Sequence, residues 1–322
     1  MSHTPEWFTN GKVFVSYAPT VGINKDGDTL YDIDAETGTR TNKVNDLVRR
    51  DIAALLDGET TDTSRWVESQ SIAEPYIGVP VYFDNRPDFD LENLLKCEDM
   101  QGFESISLGD LIDRGSVIAR QGHGSPSADM RTGTVPYIKV SDLRAGQVNI
   151  NPTNRVTEVV AKKYWRGGSS GLAPFDLLTP IRTSKNIGDF AVLMPGQEHL
   201  VLTKEILVLH ASDSAEFDNF YLLWAMSLKA VRRQWDRIIF MQTNREDVGT
   251  RYREIRVPIA PDARTAYEYS APMRAYYEGM HKLRDELLTY LTNDERHHIF
   301  MSSNESVIEE VLDLPELRLD DH

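Results

Sequence analysis

The sequence predicts an α+β protein: a mixed, mostly-β middle domain, a coiled-coil-like helix after it, and a small α/β segment before it. Three observations carry this expectation. Between Ile106 and Pro258, short β-branched and aromatic runs alternate with Gly, Pro, Ser and Asn. After Pro261, apolar residues recur at alternating steps of three and four. The first hundred residues hold one strand-like run, a hairpin-like stretch and one helix-like run. The chain has 322 residues, 40% of them hydrophobic, enough for about two domains of roughly 100–200 residues each and a buried core.

Taken in order, Lys12 to Ala18 (KVFVSYA) reads as a strand because β-branched and aromatic residues crowd a short run ending at turn formers. Residues Gly22 to Thr41 alternate turn signals, Lys25-Asp26-Gly27-Asp28 and Glu36-Thr37-Gly38, with the short run Thr29 to Ile33, as a hairpin does. Asn45 introduces a helix in which Leu47, Val48, Ile52, Leu55 and Leu56 share one face and Gly58 closes the C-terminus. Residues 59–100 read as an acidic connector with one short strand near Ile77 to Phe83. In the middle domain, strands are predicted at Ser116 to Arg120, Val135 to Val140, Gln147 to Ile150, Leu177 to Arg182, Phe190 to Leu193 and Ile206 to His210. One helix is predicted over Asn219 to Trp235, and a second over Tyr267 to Thr292 with Met273, Tyr276, Met280, Leu283, Leu287 and Tyr290 as an a/d seam. A short acidic helix is expected near the C-terminus. The division is therefore 1–104, 105–261 and 262–322.

Charge narrows the function classes. The formal net charge of −15 argues against non-specific coating of nucleic acid or anionic membrane. The charge is uneven, however: residues 1–105 hold 9 Lys/Arg against 20 Asp/Glu, residues 106–258 hold 20 against 16, and residues 259–322 hold 6 against 14. A polyanionic partner is therefore sought in the middle. A single cysteine, Cys97, can form neither an intramolecular disulfide nor a zinc site with neighbours, and the default compartment is a reducing cytoplasm. No targeting segment and no membrane span are expected.

Most catalytic patterns are missing. There is no G-x-x-x-x-G-K-[ST] phosphate loop, no G-x-G-x-x-G after a strand and no G-x-S-x-G elbow. Gly167-Gly168-Ser169-Ser170-Gly171 lacks the lysine a phosphate cradle needs and reads as a flexible loop. Asn151-Pro152-Thr153-Asn154 does not match the tetrad that holds a target amine for methyl transfer. His123 reads as a loop histidine and His297-His298 as a polar helix end, since adjacent helical residues point to different faces. Asp84, Asp88 and Glu92 with Lys96 leave open a metal-dependent nuclease or modification enzyme, although their spacing differs from the acid-x-lysine of common nucleases. The positive signal is the basic run Lys229, Arg232, Arg233, Arg237, Arg245, Arg251, Arg253 and Arg256, interleaved with Trp235, Gln242, Asn244 and Tyr252. Arginine suits phosphate and guanine contacts, and Asn and Gln suit adenine. An ordinary solvated surface, with Asp236, Glu246, Asp247 and Glu254 as ion-pair partners, remains the alternative at this point.

The middle segment carries more specific signals. Gln121-Gly122-His123-Gly124-Ser125-Pro126-Ser127, followed by Gly133-Thr134-Val135-Pro136-Tyr137-Ile138-Lys139-Val140-Ser141-Asp142-Leu143, resembles the opening of the target recognition domain in specificity subunits of type I restriction-modification systems. That opening has a G-(T/S)-P-S turn, an insertion, then G-x-(I/V)-P-(W/Y)-I-(K/R)-(I/V)-x-D-L. Val156-Thr157-Glu158 with Lys162-Lys163-Tyr164, Leu172 to Leu178, Phe220 to Ser227, and Arg256-Val257-Pro258-Ile259-Ala260-Pro261 resemble later elements in the same order, with Phe175 where the family usually has Gly. The resemblance spans about residues 104–295. Family members usually carry two recognition domains joined by two long helices; one domain and one helix here resemble a half-subunit. Residues Lys12 to Ala18 with Val21 to Asp28 resemble the last hairpin of N6-adenine methyltransferase subunits.

The resemblance implies a non-catalytic recognition subunit for duplex DNA, docked to an adenine methyltransferase that carries S-adenosylmethionine; the chain itself holds no cofactor. A restriction subunit is a further partner where cleavage accompanies modification. Lys139, Lys162, Lys163, Arg182, Lys185, Arg232, Arg233, Arg237 and Arg245 are the candidate phosphate or base contacts, with Gln242 and Asn244 as base readers. The residue 267–292 seam is the candidate surface for self-association or helix pairing. A protein-only assembly adaptor is the third reading.

Overall fold

A computed structural model describes residues 10–73, 77–182, 184–242 and 245–293. The architecture is α+β, with several small sheets, one larger mixed sheet and a long C-terminal helix. Chain packing separates two compact units, Met1–Asp90 with Asp236–Phe240, and Leu91–Trp235 with Met241–His322. The position expected to divide domains, residue 104, opens a strand inside the second unit.

In the first unit, strand Lys12–Ser16 pairs antiparallel with Ser64–Glu68, and Tyr31–Ile33 pairs with Arg40–Val44. Val15, Tyr17, Val67 and Phe83 form its core. Helix Leu47–Leu56 is capped by Asp46, whose side chain accepts the Arg49 N–H, and Gly58 beyond it takes φ +74°. The apolar face predicted for this helix is not the buried one: Ile52, Leu55 and Leu56 are exposed, while Asp51 is fully buried. The reason is hydrogen bonding. Ser16, Thr61 and Thr63 hydroxyls donate to the Asp51 carboxylate, Ser16 at 2.6 Å and Thr63 at 2.8 Å. Burial raises the Asp51 carboxyl, but the hydroxyl donors and Arg50 outweigh it and hold it below its ordinary value. The stretch read as a strand near Ile77 is instead a 3-10 turn, Pro80–Phe83, with proline at its start, where a fixed φ and a missing N–H do no harm.

The second unit is built on a six-stranded sheet in the order Val117–Gln121, Ile206–Ala211, Leu177–Pro180, Ala191–Val192, Gln147–Val148, Leu143–Arg144. Only the Ala191–Val192 with Gln147–Val148 pairing is parallel. A three-stranded sheet places Val135–Ile138 between Arg155–Val156 and Val201–Leu202. Arg256–Ile259 pairs with Glu104–Ser107. The predicted strands of this unit all form; Val135–Ile138, Leu177–Pro180 and Ile206–Ala211 bury side chains on both faces, while Val117–Gln121 at the sheet edge is partly exposed. The core joins Ile138, Leu178, Leu193, Leu202, Ile206 and Val208.

The helix predicted over Asn219 to Trp235 is two: Asn219–Ser227 and Lys229–Ile238, separated by Leu228 in an extended conformation. The first is apolar on all sides and buried, with Asp218 capping the Phe220 and Tyr221 N–H groups at 3.0 Å; the second is amphipathic. A single straight helix could not meet both demands. The C-terminal helix, Ala263–Thr292, begins four residues earlier than predicted, because Asp262 caps the Thr265 N–H at 2.8 Å.

The segment 121–125 stitches the two sheets together. Gly122 N–H donates to Ile206 O at 2.8 Å, Gly124 N–H to Leu202 O at 3.1 Å, and Thr203 N–H to Ile138 O at 2.9 Å. A Cβ on Gly122 would stand 2.0 Å from the Thr203 carbonyl oxygen, and one on Gly133 would stand 2.4 Å from the Val156 and Thr157 backbone. His123 completes the crossing: its Nδ1 accepts the Leu202 N–H at 2.9 Å and its Nε2–H donates to Ser170 O at 2.8 Å. Burial pushes its pKa below the ordinary histidine value.

Two stability predictions follow from this crossing. Gly122→Ala should lower stability by about 2 kcal/mol or more through overpacking, read from the urea midpoint, whereas Gly168→Ala, whose Cβ meets nothing nearer than 3.7 Å, should change it by less than about 1 kcal/mol. The unfolded chain binds the His123 proton more readily than the folded one, so this histidine's contribution is present above about pH 6.5 and is lost as pH falls through the depressed folded value. Urea midpoints at pH 7.5 and 5.5 should differ less in His123→Gln than in the parent; an equal difference would mean the imidazole is not held neutral.

Candidate nucleic-acid interface

The motif residues occupy the second unit as a continuous scaffold for its loops. After the sheet crossing at 121–125, Ser125 Oγ meets Thr203 Oγ1 at 3.0 Å, and Arg131 stacks over the Tyr137 ring at 5.3 Å. Pro136, Tyr137 and Ile138 are buried in their strand, and Asp142 accepts the Lys139 N–H at 2.8 Å to close the turn that follows. These residues set backbone geometry and leave the adjoining loops to face solvent.

Helix Glu158–Tyr164 follows from Thr157, which caps the Val160 N–H, with Glu158 in its first turn and Lys162 and Lys163 in its last, an order that suits the helix dipole. Trp165 is buried and donates its indole N–H to Leu200 O at 3.1 Å. The chain then turns through Arg166 at φ +57° and Gly167 at φ +84°. Lys162, Lys163 and Arg166 are all exposed, beside Val159 at 79% exposure. Only Lys162 has a carboxylate near, Glu158 at 3.6 Å, and a surface i,i+4 pair of this kind is worth about 0.3–0.5 kcal/mol. The loop beyond is pinned at Ser170 by His123 and at Gly171 by Arg120, so the three cations sit on an anchored segment.

The other predicted contacts are distributed differently. Arg182 pairs with Asp247 at 3.0 Å and Arg232 with Asp189 at 2.9 Å. Arg237 lies in the first unit, 13% exposed, bonded to the Asp88 carboxylate and near the Asp84 carbonyl, which withdraws it from solvent. Lys139 Nζ donates to Asn154 Oδ1 at 2.8 Å. Lys185 and Arg233 are exposed. Gln242 and Arg245 contribute backbone to two short paired strands, and Asn244 lies outside the described residues. Further along the basic run, Arg253 forks onto Asp113 at 2.8 Å and Arg256 donates to Ser105 O at 2.6 Å. The linear basic stretch thus becomes mostly internal pairing, and the cations that cluster in space come from 162–166. Arg166 and Arg120 were not among the predicted contacts; the signal for Arg166 was a cation between two lysines at a helix end and a glycine pair.

Two of the three carboxylates of the nuclease alternative are engaged, Asp84 with Arg86 at 2.6–3.1 Å and Asp88 with Arg237, and Glu92 is exposed. Among the described residues, no group of three or more His, Cys, Asp or Glu stands close enough to hold a metal ion, and no helix is long and apolar enough to cross a membrane. The predicted helix seam divides. Met273 and Met280 are half-buried against the second unit, Met280 Sδ accepting from Gln147 at 3.5 Å, while Tyr276, Leu283, Leu287 and Tyr290 face solvent. The buried face is instead Ala266, Ser270 and Tyr277, whose hydroxyl donates to Gly146 O at 3.0 Å.

No protein-family model and no curated protein matches the sequence. Among solved structures, the chain is similar to the type I restriction-modification S subunit from M. genitalium, with 12% identity, a TM-score of 0.39, and 59% of this chain covering 43% of that one. It is also similar to a chain from a study of complex assembly and conformational transition of the type I R-M system (12% identity, TM-score 0.37, 65% of this chain and 48% of that one). A third is the HsdS subunit from Thermoanaerobacter tengcongensis (13% identity, TM-score 0.35, 83% of this chain and 61% of that one). The chain spans less than two thirds of the length of each of these structures. Overlaps at this level leave the functional reading to rest on the chain's own residues.

Proposed function

We propose that the second unit reads a short half-site in duplex DNA, and that the chain is a non-catalytic specificity subunit of a type I-like restriction-modification or phage-defence complex. The observation that carries this reading is the coincidence of the ordered recognition-domain motifs with an exposed, anchored trio of cations, Lys162, Lys163 and Arg166, at the end of one of those motifs. Cations in this arrangement neutralise phosphates and fix register, while neighbouring loops approach the base edges. An adenine methyltransferase supplies the S-adenosylmethionine chemistry, and the acidic N-terminal segment, residues 1–104, is its docking region. The outward stripe of Tyr276, Leu283, Leu287 and Tyr290 is the surface for helix pairing, with a second copy or a partner subunit. The lone thiol, Cys97, is exposed and unpaired, which suits a reducing cytoplasm.

Selection of bound duplexes from a random library, by the chain alone and with a candidate methyltransferase, should enrich a short motif; no enrichment in either condition overturns the reading. Replacing Lys163 and Arg166 by Ala should weaken binding across sequences and make the dependence of log affinity on log salt shallower by about one for each cation removed. Unchanged affinity and slope would take residues 162–166 off the contact surface. Arg237→Glu, by contrast, should lower the stability of the first unit, since it sets a carboxylate against Asp88.

A further inference from the structure

Strands Val117–Gln121 and Ile206–Ala211 run antiparallel, with His210 opposite Ile118 and Val208 opposite Arg120, so these four side chains share one face of the sheet. Burial falls along it, from Val208 in the core, through half-buried Arg120 and His210, to Ile118, which is 44% exposed. Asp176, one residue before Leu177, which lies opposite Leu209, stands beside His210 and is fully buried. Its carboxylate accepts from His210 Nδ1 at 2.7 Å, from the Ala173 N–H at 3.0 Å and from Arg120 Nη2 at 3.4 Å. Burial pushes the Asp176 carboxyl up, against the Ala173, His210 and Arg120 contacts that lower it. Phe175, just before it, is a non-glycine residue held at φ +63°, a strained conformation where the chain enters the strand.

A buried carboxylate is expensive to keep, and this one anchors two basic side chains whose outer edges remain accessible. Its occupation of His210 Nδ1 leaves Nε2 as the ring atom open to a ligand. Arg120 Nη1 donates to Gly171 O, so the face abuts the loop that begins at Arg166. Gly171 lies five steps along the chain from Arg166, a reach of at most about 18 Å. Duplex DNA presents a phosphate every 3.4 Å of axis on each strand, so one duplex can lie along both groups of cations.

We propose that Arg120 and His210 form a second DNA-backbone contact, continuous with residues 162–166, in which Arg120 donates to a phosphate oxygen and Asp176 is the positioning residue. This inference rests on the DNA-recognition reading and assigns contacts that the sequence analysis placed elsewhere. Affinity for a labelled mixed-sequence duplex, measured over a salt series for the full chain, tests it. Arg120→Gln should weaken binding by about tenfold and make the salt slope shallower by about one. Ile118→Lys, which leaves the Asp176 contacts untouched, should strengthen binding and steepen the slope by about one. His210→Gln should weaken binding and also lower the thermal midpoint, because it takes a partner from the buried Asp176 carboxylate. If the parent chain binds DNA and both Ile118→Lys and a folded Arg120→Gln leave affinity and slope as they were, the cluster is a structural ion-pair knot and the proposal falls. If the parent chain binds no duplex, alone or with its methyltransferase, the recognition reading falls first and takes this contact with it.

Discussion

The second unit depends on the close approach of the 121–125 backbone to residues 201–206. Two backbone hydrogen bonds, from Gly122 and Gly124, and the Leu202 N–H bond to His123 Nδ1 are made across it, and Thr203 beside them bonds Ile138 O. At Gly122 the separation leaves no room for a side chain at all. This crossing fastens the six-stranded sheet to the three-stranded one, fixes the shared core around Ile138, Leu202 and Ile206, and anchors the glycine-rich loop through Ser170. Because an interior is packed to crystal density, such a crossing tolerates little adjustment, and the loops it supports inherit that rigidity.

Charge in this protein is organised by pairing more than by accumulation. Most arginines of the middle segment face a nearby carboxylate or carbonyl: Arg182 has Asp247, Arg232 has Asp189, Arg253 has Asp113 and Arg256 has Ser105. An arginine in a close one-to-one pair with a carboxylate contributes little field to an approaching polyanion, whereas Arg120 stands 3.4 Å from Asp176 and shares it with His210. Exposed pairs of this type also add little stability, about 0–1 kcal/mol each. The informative residues are therefore the clustered exposed cations at the end of helix Glu158–Tyr164, together with the fully buried Asp176, which holds Arg120 and His210. Both features lie on the framework that the sheet crossing creates.

Much of the fold was legible because its elements are short and chemically unambiguous. Runs such as Leu177–Pro180 and Ile206–Ala211 are mostly apolar, and they bury on both sides. The caps were not legible: Asn45 reads as introducing the helix that Asp46 caps, and the spacing predicts the last helix from Tyr267 although Asp262 starts it four residues earlier. What misled was amphipathicity read without knowledge of partners. Helix Leu47–Leu56 turns Leu56 to solvent at 82% exposure and buries Asp51, because three hydroxyls distant in sequence satisfy the carboxylate. The seam of the C-terminal helix splits for a related reason: Tyr277 finds the Gly146 carbonyl, which turns Leu283 outward.

The sequence by itself determined the element types, the α+β class, the basic bias of the middle segment and the ordered motifs on which the proposed function stands. These are local properties, set by backbone propensity, turn chemistry and spacing within a few residues. Only the tertiary structure decided which cations are available and which carboxylates are already engaged. Arg237 meets Asp88 across 149 residues and Arg232 meets Asp189 across 43. A charge is neutralised by its neighbours in space, and composition carries no record of which neighbours those will be.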